Sequence, residues 1–345
     1  MGRLVVAVTM LTYGCATPPR APSAPVAITC GSTESDAMNC GACGHACHGG
    51  ACRAGRCGPF VLSNEAARVL ALVVDDDEVR WVTEDSVLKT VALGGGAPTE
   101  VATLELAPAD VWVHDDVVFV CDEGGVVRVG RDGRAARVFS GTERCVDLVG
   151  DDAHLFFVDD DGIVRALAYA GGEPRFVTKG RGGESGHLEV SGGFVYFGDG
   201  QGIVRAPLAG GSVERIVKTE EPLTFALVGD RLVTLEPYTP PNAKNDPGAH
   251  ATFALFAKDL AAKNDVPHRL ALRLLESHGL VGDDRHAYFA EGGSYGAPVR
   301  IERADVVRGG VETLVDRGAP TIFALGDNVI VWHDEESHRV MALAK

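Results

Sequence analysis

One arrangement of apolar and polar positions returns seven times from Leu72 to the C-terminus: an apolar strand, a tight acidic turn, and a second apolar strand ending on a bulky residue. It reads LVVDDDEVRWV at Trp81, WVHDDVVFV at Phe119, LVGDDAHLFFV at Phe157 and LEVSGGFVYF at Phe197. It returns as ALVGDRLVTL at Leu235, LVGDDRHAYF at Phe289 and FALGDNVIVW at Trp332. Alternation with period 2 predicts half-buried strands. The anchors step by about 38, 38, 40, 38, 54 and 43 residues, the repeat length of a four-stranded propeller blade.

Each hairpin is strand A, an acidic turn and strand B. Strand C follows with a basic residue, as in VLK at Lys89, VVR at Arg128 and IVR at Arg165 and Arg205; a glycine turn then leads to strand D. Unit five carries an insertion from Pro237 to His250, whose prolines and polar residues predict a surface loop. The seventh unit has residues 337–343 for strand C and no strand D. The segment FVLS at residues 60–63 precedes the first strand A, and it is expected to pair with residues 337–343 and close the ring. The expected fold class is therefore all-β: a seven-bladed propeller over residues 58–345, closed by an N-terminal strand. Units three, four, six and seven end strand B in FFVD, YFGD, YFAE and VWHD, which resemble, in degenerate form, the YWTD repeats of secreted and cell-surface propellers.

Ahead of the propeller the patterning changes. Arg3 and the apolar run LVVAVTMLTY form an export signal over residues 1–15, too short to span a bilayer. The run ends in Thr12-Tyr13-Gly14-Cys15, which resembles the cleavage box of bacterial lipoproteins and implies lipidation of Cys15, although Leu11 lies one place too far upstream and Tyr13 is bulky. The short apolar run is also compatible with a start codon further upstream. Residues 16–29 are Pro/Ala-rich and read as an extended tether.

Residues 30–57 hold Cys30, Cys40, Cys43, Cys47, Cys52 and Cys57 with almost no apolar residues, the composition of a disulfide-rich module that replaces a core with covalent links. The alternative is zinc, through Cys40-x2-Cys43 with His45 and His48. Six cysteines allow 15 pairings, and spacing does not choose among them. The run NCGACGHAC at residues 39–47, followed by Gly50-x-Cys52 and Gly55-x-Cys57, resembles the stigma-specific cysteine-rich family, similar modules of which occur in predicted secreted proteins of myxobacteria. That resemblance covers about 28 residues and implies an extracellular interaction module without catalytic residues. Cys121 and Cys145 end strand B of the second unit and begin strand A of the third, so a further disulfide is expected there.

The net charge of −16 argues against nucleic acid and against direct attraction to an anionic membrane, leaving a lipid anchor as the expected membrane contact. Residues 1–57 carry four arginines against two carboxylates, so the propeller holds the acidity. Carboxylates stand at or just past the end of every strand B: Glu84, Asp122, Asp159, Asp199, Glu236, Glu291 and Asp334, with Asp160, Asp161, Glu335 and Glu336 beside them. Propeller topology puts these on one face, as an acidic rim for a basic partner or a divalent cation, or as plain turn formers. His187 and His278 lie near the start of strand A, where they approach the central channel as a metal or acid/base pair or as hydrogen-bonded channel residues. No phosphate loop, nucleophile elbow or zinc-protease helix is present in the sequence.

These features favour an exported, non-catalytic protein, in the cell envelope or secreted, monomeric and without a cofactor, which presents a propeller face to a protein or glycan. The competing expectation is an extracellular hydrolase or polysaccharide lyase at the channel mouth, for which His187, His278, Arg144, Arg181 and Asp159 would have to converge.

Overall fold

The structure is a computed structural model that describes residues 30–75, 77–141, 143–180, 187–218, 224–262, 266–274, 277–292 and 299–345, apart from 239–251. For residues 238, 252, 272–274, 277 and 278 the backbone alone is described. Among the described residues there is no α-helix, and seven four-stranded antiparallel sheets form the blades. Blade 1 comprises Val69–Asp75, Glu78–Thr83, Val87–Ala92 and Thr99–Thr103, and blade 2 comprises Pro108–His114, Val117–Asp122, Gly125–Val129 and Ala135–Ser140. Blade 3 follows with Cys145–Gly150, His154–Asp159, Ile163–Ala168 and Arg175–Lys179, and blade 4 with Leu188–Ser191, Phe194–Gly198, Gly202–Pro207 and Glu214–Lys218. Blade 5 holds Thr224–Val228, Arg231–Tyr238, Thr252–Asp259 and His268–Leu274. Blade 6 holds Ser277–Gly282, His286–Glu291, Val299–Asp305 and Val311–Gly318.

Blade 7 takes Pro320–Leu325, Val329–Asp334 and Arg339–Ala344 from the C-terminus and its outer strand, Phe60–Asn64, from the N-terminal side. Phe60 faces Ala342, Val61 faces Met341 and Ser63 faces Val340, so the expected closure is present. An unclosed ring would leave the donors and acceptors of residues 339–344 as an open edge.

The cores lie between blades, one apolar cluster at each seam. Leu62, Val331 and Val340 meet Val69, Leu72 and Trp81 where the ring closes, while Tyr288 and Ile301 meet Ile330 and Trp332 at the preceding seam. Alternate residues of each strand face opposite neighbours, which is why the sequence alternates without a polar face. The register corrects two of the sequence anchors. Strand B of blade 2 places Val120, facing Val111, where blade 1 has Trp81 facing Leu72 and blade 3 has Phe157 facing Leu148. Phe119 packs against blade 3 instead. In blade 5 the equivalent residue is Thr234, facing Phe225, and Leu235 packs towards blade 6.

Residues 30–57 form a knot of Cys30–Cys43, Cys40–Cys52 and Cys47–Cys57, with a two-stranded ladder in which Cys52 faces Cys57. All six sulfurs are thereby paired with one another. The knot sits on the face of the A–B and C–D turns. Cys57 packs beside the blade 6–7 core, Arg56 pairs with Glu312 at 3.1 Å, and a Cβ on Gly49 would meet the Phe60 ring at 2.7 Å. The fourth disulfide, Cys121–Cys145, is buried with Cα atoms 5.3 Å apart and ties blade 2 to blade 3.

Reduction should therefore act unevenly. A small knot loses about 2–5 kcal/mol per disulfide, whereas the blades rest on seam burial. Dichroism should show the tryptophan near-ultraviolet signal and the β-sheet far-ultraviolet signal outlasting the structure of residues 30–57. Collapse of all three together would mean that knot and ring are one cooperative unit.

Candidate functional site

Two groups of polar residues occupy the face of the B–C loops and D–A crossings, opposite the knot. The first is the set of carboxylates at the ends of strand B, and most of them are structural. Asp122 is fully buried; its carboxylate accepts from Gly124 N at 2.8 Å and from both terminal nitrogens of Arg137 at 2.7 and 2.8 Å. Asp199 is held in the same way by Gln201 N at 3.1 Å and by Arg215 at 2.8 and 2.7 Å. Asp159 accepts from Ile163 N at 2.9 Å and pairs closely with Arg165, and Asp334 accepts from Ala319 N, Ser337 N and Ser337 Oγ. Each of these acids thus closes its own B–C turn, and three of them also clamp an arginine of strand C or D in the same blade. Such charge-assisted pairs, bidentate at Asp122 and Asp199, are strong and geometrically exacting.

In blade 1 the equivalent position is Thr83, opposite Val69, and not Glu84, which is exposed and accepts from Arg68 N. Glu236 accepts from Thr234 Oγ1 at 2.7 Å. Glu291 shares a blade face with buried Glu302; burial first, then the charge of Glu291, pushes the Glu302 carboxyl up to about 7. The exposed members of the rim are Asp160, Asp161, Glu335 and Glu336, with Glu84 and Glu123. Arg144 pairs with Asp160 at 3.4 Å rather than turning to the channel.

The second group lines the channel. Bulges near the start of strand A, between Pro108 and Asp110 and between Cys145 and Asp147, move the register by one residue. As a result Asp147, not Val146, is the counterpart of His187, and Asp110 is the counterpart in blade 2. His278 belongs to the same ring by its backbone register opposite Ala290, with its side chain outside those described. Ala71, Thr224 and Ile322 complete the equivalent positions in blades 1, 5 and 7.

Asp110, Asp147, His187 and Glu189 line a cavity of about 420 Å³ together with Trp112 and Leu188. Asp110 Oδ2 accepts from Leu148 N at 3.1 Å, and Asp147 Oδ2 accepts from Leu188 N at 2.8 Å, so each acid bonds to the backbone of the next blade. Burial, and then the charge of the adjoining Asp147, raise the Asp110 carboxyl well above the usual carboxylate range. His187 Nδ1 lies 3.4 Å from Asp147 and Nε2 lies 3.4 Å from Glu189. Burial alone would depress the imidazole, but the two carboxylates prevail and push it up to about 10. Near neutrality the ring therefore holds a histidinium with a carboxylate at each nitrogen.

Sequence reasoning found His187, His278 and the strand-B acids but missed Asp110, Asp147 and Glu189. Asp110 and Asp147 stand two before Trp112 and one before Leu148, positions that reach the channel only with the bulges in place, while Glu189 follows Leu188. Cys15, Arg181 and the insertion from residue 239 onward lie outside the described residues.

No family model matches the chain, and no curated protein does. Solved structures match in shape. Kuenenia stuttgartiensis hydrazine synthase is 12% identical with a TM-score of 0.66, over 82% of this chain and 97% of that one. BamB from Moraxella catarrhalis is 13% identical with a TM-score of 0.54, over 84% of this chain and 88% of that one. The computationally designed Ika8 protein is 13% identical with a TM-score of 0.55, over 83% and 98%. Likeness at these identities is likeness of fold.

Proposed function

We propose that this is an exported, non-catalytic interaction protein that presents the B–C face of its propeller to a protein or glycan partner. The observation that carries the reading is the division of labour among the acids: Asp122, Asp159, Asp199 and Asp334 are spent on turns and arginines, while Asp160, Asp161, Glu335 and Glu336 stand exposed around them. The exposed set gives the face a negative field that steers basic partners in a salt-dependent way. Four disulfides favour an oxidising compartment. They use eight of the nine cysteines, and the ninth is Cys15 of the lipoprotein-like box, which supports a lipid anchor there. The reading divides the chain into a signal (1–15), a tether (16–29), a module similar to the stigma-specific family (30–57) and a propeller akin to YWTD repeats (58–345). Against the enzyme alternative stands His187, held as a cation between two acids.

The test is capture of the partner from the source cell envelope by immobilised full-length chain. Asp160→Asn with Asp161→Asn, Glu335→Gln and Glu336→Gln should slow capture several-fold and flatten its dependence on ionic strength, because rim charges act mainly on association. Unchanged kinetics and an unchanged salt slope would remove the rim from the account.

A further inference from the structure

Strand B of every blade has one position that faces the next blade just before the terminal turn residue. In blades 1 to 6 it is Val82, Cys121, Val158, Gly198, Leu235 and Ala290. In the closing blade it is His333, which is 1% exposed. His333 shares its row with Ile322, Val340 and, across the N-terminal strand, Ser63, and that row looks onto blade 1, where Val340 packs with Val69 and Trp81. Nδ1 lies 3.4 Å from Thr321 Oγ1, and Nε2 is buried without a hydrogen-bond partner. The one titratable site at this position is thus in the one blade that is made from both ends of the chain.

From this we infer that the seam between the closing blade and blade 1 is an acid-sensitive latch, in which protonation of His333 loosens the N-terminal closing strand. The charged groups around it do not compensate the cation. Glu65 faces the seam from the crossing into blade 1, but its carboxylate is committed to Trp81 Nε1 at 2.9 Å and to Lys89 Nζ at 3.0 Å. On its own blade Asp334 is turned into its hydrogen bonds with Ala319 and Ser337, Glu335 is exposed, and His338 opposes a second positive charge. Burial is the main influence on His333 and lowers its affinity for a proton, ahead of the opposing pull of Glu335, Asp334 and Glu65.

The sign follows from that direction. A histidine whose folded value lies below its unfolded value, about 6.5, gives its full stabilisation above 6.5 and loses it as the pH falls towards the folded value. The blade 1 and blade 3 residue, valine, supplies a variant suited to the same packing.

Hydrogen exchange of the full chain at pH 7.5 and 5.0, corrected for intrinsic rates, tests the inference. In the wild type the protection of residues 60–64 and 339–344 should fall several-fold relative to blade 3. In His333→Val, and in the neutral polar His333→Gln as a second variant, the ratio should change less than twofold. The latch is overturned by an unchanged wild-type ratio, by equal falls in wild type and variants, or by a fall spread evenly over all blades.

Discussion

A chain that begins at Glu65, lacking the closing strand, should lose cooperative folding and self-associate. Leu62, 2% exposed in the blade 7–1 core, leaves with the deleted segment; removing a buried side chain of that size costs about 2–5 kcal/mol. The backbone groups of Arg339–Ala344 that pair with Phe60–Asn64 become an open edge, which is a template for another chain. Typical domain stability is about 5–15 kcal/mol, so the combined loss is a large share of it. Size-exclusion chromatography should show dimers and larger species, and urea unfolding should start earlier and broaden. Addition of a synthetic peptide spanning residues 58–66 should partly restore the monomer. A monomeric truncation with an unchanged urea midpoint would mean that the ring is held without the N-terminal strand.

Arg137→Met should be the most damaging single substitution on the B–C face. It leaves the Asp122 carboxylate buried with one remaining neutral donor, and an uncompensated buried charge costs about 3–5 kcal/mol. Adding Asp122→Val to the same chain should recover much of that loss, since replacing both partners removes the stranded charge. By contrast, Asp160→Asn and Asp161→Asn should each stay within about 0.5 kcal/mol of wild type, as exposed positions do. Chemical denaturation of the five proteins checks the pattern. A loss from Asp160→Asn as large as that from Arg137→Met would mean that the structural and exposed acids have been wrongly separated.

The contrast between these residues also marks what was legible in the sequence. Blade number, the closing strand and the Cys121–Cys145 bridge follow from period-2 patterning and from the need to cover an edge, and both are local signals. The pairing of Asp122 with Arg137 and of Asp199 with Arg215 was hidden, because each arginine lies in strand D and reaches back across the sheet. Simple repeat alignment places Val146 opposite the channel position of His187. A bulge at the start of strand A brings Asp147 there instead, and no composition cue marks a bulge without a glycine. The six-cysteine pairing stayed open for a similar reason: it depends on how turns of the knot fold back, not on spacing.

The account turns on the propeller offering its B–C face while the knot occupies the other. Site-specific photo-crosslinking from the full-length protein in its native envelope addresses that most directly, with the photoreactive residue at Asp161 or Glu336 on one face and at Asp152 or Asp284 in the A–B turns on the other. The prediction is a discrete adduct from positions 161 and 336, weakened by added salt, with little from 152 and 284. Discrete adducts from 152 and 284, with none from 161 and 336, would contradict it and move the partner to the side of the knot.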